Sequence, residues 1–194
     1  MSVFDGLASV YDVGMLPLEW LIFRRLRRRL FPCIGGRVLE LGVGTGVNLP
    51  LYRSATRVVA CDASPDMLAC AKGRRTRARV ALVQADAQRL PFADRSLDVV
   101  AASLTFCSIA DPLRGLGEAR RILTTHGQLL LLEHMRGSGL GAWVTDVLHP
   151  LWNAWSRDCH LNRETVGNVE QAGFTVRRVE QHALGIVRLI EATV

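Results

Sequence analysis

Apolar positions come in two rhythms along this chain. Short runs, often β-branched, alternate with stretches in which apolar residues recur every three or four positions. The runs predict strands over 37–41, 57–61, 80–84, 97–102, 127–133, 174–179 and 186–193. The helical repeats predict helices near 18–31, 46–53, 64–73, 111–124 and 163–172. Continuous apolar strands separated by amphipathic helices predict an α/β fold with a doubly wound, mostly parallel sheet of seven strands. The last two strands lie close in sequence, which suits a hairpin and an antiparallel edge. A helical extension over 1–35 precedes the first strand, and 194 residues are most simply one domain, 1–194.

The turn after the first predicted strand carries the densest chemistry. Arg37-Val-Leu-Glu-Leu-Gly-Val-Gly-Thr-Gly46 runs from apolar residues through Glu40 into glycines at 42, 44 and 46. Without a Cβ, a backbone can turn tightly and approach a ligand closely. A strand entering such a turn is how open α/β sheets build a nucleotide site. Val58-Val-Ala-Cys-Asp62 reads as the next strand, and Asp62 stands 20 residues after Gly42, where a carboxylate can accept hydrogen bonds from both ribose hydroxyls. A dinucleotide fingerprint asks for Gly or Ala at 47, where this chain has Val47. Ser64 before Pro65 marks a helix start, and Gly173 marks a helix end.

The pattern Glu40-x-Gly42-x-Gly44-x-Gly46 resembles motif I of the class I S-adenosylmethionine-dependent methyltransferases, whose fold is Rossmann-like. Asp62-Ala63-Ser-Pro-Asp-Met67-Leu is similar to the family's segment after the second strand. Gln84-Ala-Asp86-Ala87 is similar to the segment after the third, where an Asp contacts the adenine amino group. Thr124-Thr-His-Gly127 stands where the family has a Leu-x-Pro-Gly-Gly surface turn. The resemblance implies S-adenosyl-L-methionine as cofactor, S-adenosyl-L-homocysteine as product, and no metal. It implies contacts from Glu40, Gly42, Gly44, Gly46 and Asn48, from Asp62, Ala63 and Met67, and from Asp86, Ala87, Ser103 and Tyr11.

Further segments resemble one branch of the family: Thr105-Phe-Cys-Ser108, Leu132-Glu-His134, His149-Pro-Leu-Trp152 and Cys159-x-Leu-Asn-Arg-Glu-Thr165, with Tyr11-Asp12-x-x-Met15-x-Pro17 at the start. They look like the small bacterial phosphatidylethanolamine N-methyltransferases and related alkyl-thiol methyltransferases. The resemblance implies methylation of phosphatidylethanolamine towards phosphatidylcholine, with a small lipophilic thiol or quinone as the alternative acceptor. A nucleotide-binding module without catalysis is a further alternative. An ammonium acceptor must lose a proton before it can attack, whereas a thiol, with pKa about 8.5, needs less help. Tyr11, His134 and His149 are the candidates to orient or deprotonate the acceptor.

Charge and hydropathy bear on location. The net charge is +6 and the mean hydropathy +0.18, with Lys72 the single lysine. Arg24, Arg25, Arg27, Arg28 and Arg29 cluster in 17–31, where Leu18, Ile22, Leu26 and Leu30 share i+4 spacing. A basic amphipathic helix of this kind can lie in an anionic membrane interface or pack its stripe on the domain. Leu140, Trp143, Val144, Val147, Leu148, Leu151, Trp152 and Trp155 form a second apolar helical stretch, suited to a substrate lid or a sheet cover. No uninterrupted apolar run is long enough to span a bilayer, and the N-terminus lacks the order of a secretory signal. Five scattered cysteines, none in CxxC and none with His at metal spacing, read as reduced thiols. These features predict a cytoplasmic monomer, peripherally associated with the inner face of the membrane. No nucleic-acid partner is expected, since Thr105-Phe-Cys-Ser replaces the amino-methylation motif after the fourth strand.

Overall fold

The computed structural model describes residues 8–52, 54–156 and 159–194; the side chains of 8–11, 54–56 and 153–156, with Tyr11 and Trp155 among them, lie outside the description. The strands are β1 (Gly35–Leu41), β2 (Ser54–Asp62), β3 (Val80–Gln84), β4 (Leu97–Ser103), β5 (Leu123–His134), β6 (Thr175–His182) and β7 (Val187–Thr193). They form one sheet in the order β3-β2-β1-β4-β5-β7-β6. All pairings are parallel except those of β7, which runs antiparallel to both β5 and β6. The chain winds outward from β1 to β3, then returns to place β4 on the other side. The crevice of the sheet therefore opens beyond the carboxyl ends of β1 and β4.

Successive residues of a strand face opposite sides, and the apolar runs fill two cores accordingly. Leu39, Val100, Leu129 and Leu131 pack with Leu116 and Ile122 of α4 (Pro112–Ile122) and Val169 of α6 (Thr165–Gln171). Val38, Val58, Val99 and Leu132 pack on the other face, with Tyr52 and with Phe23, Leu26, Leu30 and Phe31. Burying one such side chain contributes about 1.5–3 kcal/mol.

The N-terminal extension is helical from α1 (Ala8–Leu18) through a wide π turn (Glu19–Phe23) to α2 (Arg24–Leu30). The π turn holds an extra residue, so side chains after Phe23 do not continue the face begun at Leu18. The predicted stripe is split as a result. Phe23, Leu26 and Leu30 are buried, whereas Trp20 and Leu21 are 73% and 79% exposed.

One expectation is corrected and another is refined. The helix expected over 46–53 is not formed by its described residues, 46–52: turns lead to one short 3-10 turn at Leu49–Leu51, with Pro50 unable to donate and the Asn48 side chain drawn inward instead of capping. The expected surface turn at Thr124–Gly127 is kept as a bulge inside β5, which starts at Leu123 directly after α4: Leu123 pairs with Leu97 and Gln128 with Val99, and Thr125 and His126 stand exposed between them. A Cβ on Gly127 would lie 2.8 Å from the Leu123 Cβ, so only glycine allows the chain to fold back there.

The second apolar stretch is α5 (Leu140–Ser156). Its small residues face inward: Gly141 leaves no room for a Cβ against the Leu184 carbonyl, and the buried Thr145 Oγ1 accepts from Gly137 N–H at 3.3 Å. Asp146 pairs with Arg136 at 2.8 Å. Leu140, Trp143, Val147, Leu148 and Leu151 point to solvent, Trp143 at 64% and Leu151 at 74% exposure. The stripe is thus turned away from the sheet. Among the described residues no helix is long and apolar enough to cross a membrane.

Candidate active site

The three glycines after β1 do three different jobs. Gly42 lies under Thr105, whose Oγ1 and Cγ2 would be 2.4 Å from an added Cβ. Gly46 packs on α3 (Pro65–Lys72), where a Cβ would meet the Ala71 Cα at 3.0 Å. Gly44 has φ +54 and nothing within 4 Å of where a Cβ would stand, so its backbone is bare towards the crevice. Here the turn requires glycine and leaves a cradle that a side chain would fill.

The crevice is a cleft of about 290 Å³. One wall is the end of β2. Asp62 accepts from Gly44 N–H through Oδ2 (2.8 Å) and from Ser64 N–H through Oδ1 (2.9 Å), so its carboxylate is held fixed at the edge of the cleft. Ser64 in turn caps α3 by accepting from Met67 N–H at 3.3 Å. Ala63 and Met67 also line this wall. Ala85, Asp86, Ala87 and Gln88, after β3, complete it, and Asp86 Oδ1 accepts from Gln88 N–H at 2.9 Å. This is the form of a pocket for a nucleoside.

The floor is a buried polar network. Glu40 Oε1 accepts from Asn48 Nδ2 at 2.8 Å. Arg27 reaches in from α2 and donates to Asn48 Oδ1 (2.7 Å) and Ser103 Oγ (2.6 Å), with Glu19 Oε1 at 3.0 Å on its outer side. Burial pushes the Glu40 carboxyl up to about 7, against the opposing pull of Asn48, Tyr52 and Arg27. Arg27 is 6% exposed and lines the cleft. Charge patterning grouped it with its solvated neighbours, and the one signal that separates it is that it falls between Phe23, Leu26 and Leu30 on the inward face. A second tie holds the extension over the glycine loop. Asp12 accepts from Thr45 Oγ1 at 2.6 Å and forms an ion pair with Arg74, which donates to the Thr45 carbonyl.

The opposite end is formed by Leu104 and Thr105 after β4 and by Ser108, Ile109 and Ala110. Leu104 sits at φ +55, a left-handed conformation that costs about 1–3 kcal/mol. The surroundings enforce it: Leu104 N–H donates to the Leu132 carbonyl at 2.8 Å, and buried Glu133 accepts from the N–H groups of Thr105, Phe106 and Cys107 at 2.8, 2.9 and 3.4 Å. The strained turn is therefore held open by one carboxylate.

Of the residues singled out in the sequence, the structure brings Gly42, Gly44, Asn48, Asp62, Ala63, Met67, Asp86, Ala87 and Ser103 around one cleft. Glu40 lies beneath it and Gly46 behind it. His134 and His149 do not line it. His134 is buried with Nε2 2.9 Å from Cys159 Sγ, and the His149 ring lies 5.5 Å from that of His160. The side chain of Tyr11 falls outside the described residues. Arg27 stands out in the sequence only as one of the basic cluster and Thr105 only within a branch motif, while nothing in the sequence marks Leu104 and Gln88.

The comparisons agree with this geometry. The Methyltransferase domain family matches residues 39–131, from β1 into β5. Thiol S-methyltransferase TMT1B of Rattus norvegicus is 33% identical over 151 residues, 74% of this chain and 62% of the rat protein; its Homo sapiens counterpart is 32% identical, covering 80% and 70%. The phosphatidylethanolamine N-methyltransferase of Cereibacter sphaeroides is 35% identical over 68% of each chain. Among solved structures, the methyltransferase bound to the Haloferax volcanii Trm112 methyltransferase activator superposes with TM-score 0.79 over 98% of this chain and 96% of its own, at 22% identity, a likeness of fold. With its glycine cradle, fixed Asp62 and sheet order, and with these relatives, the chain belongs to the class I S-adenosylmethionine-dependent methyltransferases, and S-adenosylmethionine is its cofactor.

Proposed function

We propose that this enzyme transfers the methyl group to a small lipophilic thiol. The observation that carries the reading is the make-up of the acceptor end. Leu104, Thr105, Ser108, Ile109 and Ala110 bound it, and among these described residues none takes up a proton near neutral pH. Glu133 is committed to three backbone N–H groups, and His134 faces Cys159. An ammonium with pKa about 10 needs a base before it has a lone pair to offer. A thiol with pKa about 8.5 already supplies some thiolate at neutral pH. The thiol S-methyltransferase relatives support the same reading.

In this scheme Asp62 would accept from the ribose hydroxyls, Asp86 and Ala87 would border the adenine, and Arg27 would pair with the carboxylate of the methionine moiety. Bound there, S-adenosylmethionine would supply an electrophilic methyl group on a sulfonium, and its transfer to the thiolate sulfur would leave a thioether on each side. The thiol proton goes to solvent. The residues contribute position, which is the larger share of catalysis in such a displacement. Tyr11 is our candidate to orient the acceptor, because its neighbour Asp12 is tied to the glycine loop.

A second reading, N-methylation of phosphatidylethanolamine, is favoured by the exposed apolar residues of the π turn next to the exposed Arg24, Arg25 and Arg28, and by the exposed apolar face of α5. Those faces suit peripheral contact with an anionic bilayer, which would also concentrate lipophilic thiols. Methyl-labelled cofactor offered with a series of alkyl thiols, or with phosphatidylethanolamine vesicles, separates the readings. Thioether formation rising with alkyl length is expected; methylated phosphatidylethanolamine without thioether overturns the thiol reading.

A further inference from the structure

Beside the acceptor end, the fold gathers three soft donors that sequence spacing keeps far apart. Cys107 follows β4, His134 ends β5, and Cys159 precedes α6. Their donor atoms all lie within 4.8 Å of one another. Cys159 Sγ is 3.8 Å from Cys107 Sγ and 2.9 Å from His134 Nε2. A zinc ion with bonds of about 2.3 Å to sulfur and about 2.0–2.1 Å to nitrogen sets tetrahedral edges of about 3.8 Å between two sulfurs and about 3.5 Å between sulfur and nitrogen. The Cys107–Cys159 edge is thus already present, the His134–Cys159 edge needs to open by about half an ångström, and the His134–Cys107 edge, within 4.8 Å, closes towards about 3.5 Å as the ring swings onto the ion.

We propose that Cys107, His134 and Cys159 form a binding site for a thiophilic divalent cation of the zinc class. Three further features fit it. First, Cys107 is held in place from behind, since Glu133 accepts its N–H and its carbonyl accepts from His160 N–H at 3.0 Å. Second, the buried His134 ring makes no hydrogen bond through Nδ1 among the described residues, so the cluster on its Nε2 side is what orients it. Third, the charges balance. Two thiolates offset one divalent cation, and Glu133 offsets Arg163, which packs alongside and donates to the carbonyls of Phe106 and Ile109 at 2.5 and 2.6 Å. Binding releases the two thiol protons to solvent, with no change in oxidation state. Ser108, whose Oγ is 3.5 Å from Cys107 Sγ, lines the cleft, so a fourth position taken on that side would open into it. Three protein ligands and one position open towards a pocket is the arrangement of sites that bind a further small ligand.

The competing use of the same atoms is a Cys107–Cys159 disulfide, which would need an oxidant and would leave His134 without a role. The test uses the full chain without a histidine tag, isolated under reducing conditions. Elemental analysis after gel filtration should find about one zinc per chain. Cobalt(II) in its place should show the intense visible bands of a tetrahedral site and the near-ultraviolet bands of thiolate ligation. Cys107→Ser/Cys159→Ser should lower metal content more than tenfold, while Cys33→Ser/Cys70→Ser should retain it. If the first double variant fails to fold, the wild-type cobalt spectrum decides. Wild type that retains no zinc and gives no cobalt–thiolate bands overturns the proposal. So does metal retained by a folded Cys107→Ser/Cys159→Ser variant, or a Cys107–Cys159 disulfide found by mass spectrometry in metal-free chain.

Discussion

The two ends of the cleft are built differently. The nucleoside end comes from short turns, 42–48, 62–67 and 85–88: the last two are closed by their own aspartates, Ser64 N–H on Asp62 and Gln88 N–H on Asp86, and the first is tied to its neighbour by Gly44 N–H on Asp62. The acceptor end has no such self-contained turn. Leu104 keeps a strained φ only because β5 supplies the Leu132 carbonyl and the Glu133 carboxylate from 28 residues away. Local construction suits a ligand that does not change. Construction from distant segments lets the acceptor pocket be reshaped without disturbing the cofactor. Arg27 is where the two meet, since it touches Asn48 of one end and Ser103 of the other.

The largest effect should come from cutting that joint. Arg27→Met removes a buried charge from Asn48 and Ser103 and strands Glu19, at a cost of about 3 kcal/mol in denaturant unfolding. Calorimetry should also show weaker binding of S-adenosylhomocysteine. Arg24, Arg25 and Arg28, changed together to Gln, should stay within about 0.5 kcal/mol of wild type. Equal effects of the two changes would break the distinction between inner and outer arginines.

Next in size is a pH effect confined to the cofactor end. Glu40 has a folded pKa of about 7 against 4.5 for the free side chain, raised chiefly by burial. The folded state therefore holds this proton more tightly than the unfolded chain. Its stabilising contribution is complete below pH 4.5 and is lost as pH rises through 7. Melting temperatures of Glu40→Gln should fall less than those of wild type between pH 5 and 8. Parallel curves would show that Glu40 does not titrate in that window.

The smallest change in stability, and the sharpest test of the acceptor side, is Trp143→Ser with Leu151→Ser. Both side chains are exposed, so unfolding should shift by no more than about 0.5 kcal/mol. Co-sedimentation with anionic vesicles and KM for long-chain acceptors should both suffer, while cofactor affinity stays the same. Unchanged vesicle binding would assign α5 to some other contact.

This contrast also explains what could be read from sequence. Glu40 to Gly46, Asp62 and Asp86 are legible because a strand, a turn and its ligand contact are contiguous, and periodicity places each at a strand's carboxyl end. The helix expected at 46–53 fails because Asn48, a good cap in isolation, is taken by Glu40 and Arg27. The inward role of Arg27 depends on a π turn that no local repeat announces. The meeting of Cys107, His134 and Cys159 depends on which strands are neighbours, so spacing rules for metal ligands pass over it. The outward turn of α5 follows from Gly141 and Thr145, whose small size lets that face, and not the richer apolar one, sit against the protein.

The split N-terminal helix has one consequence of a thermodynamic kind. Its inner face closes the cleft through Arg27 and Asp12, and its outer face offers Trp20 and Leu21 to whatever lies outside. A rigid element with two such faces is subject to reciprocity: a surface that favours the docked helix tightens cofactor binding by some factor, and the cofactor tightens adhesion to that surface by the same factor. On a surface that carries the acceptors, such a helix would couple place to occupancy, and the enzyme would be best loaded there.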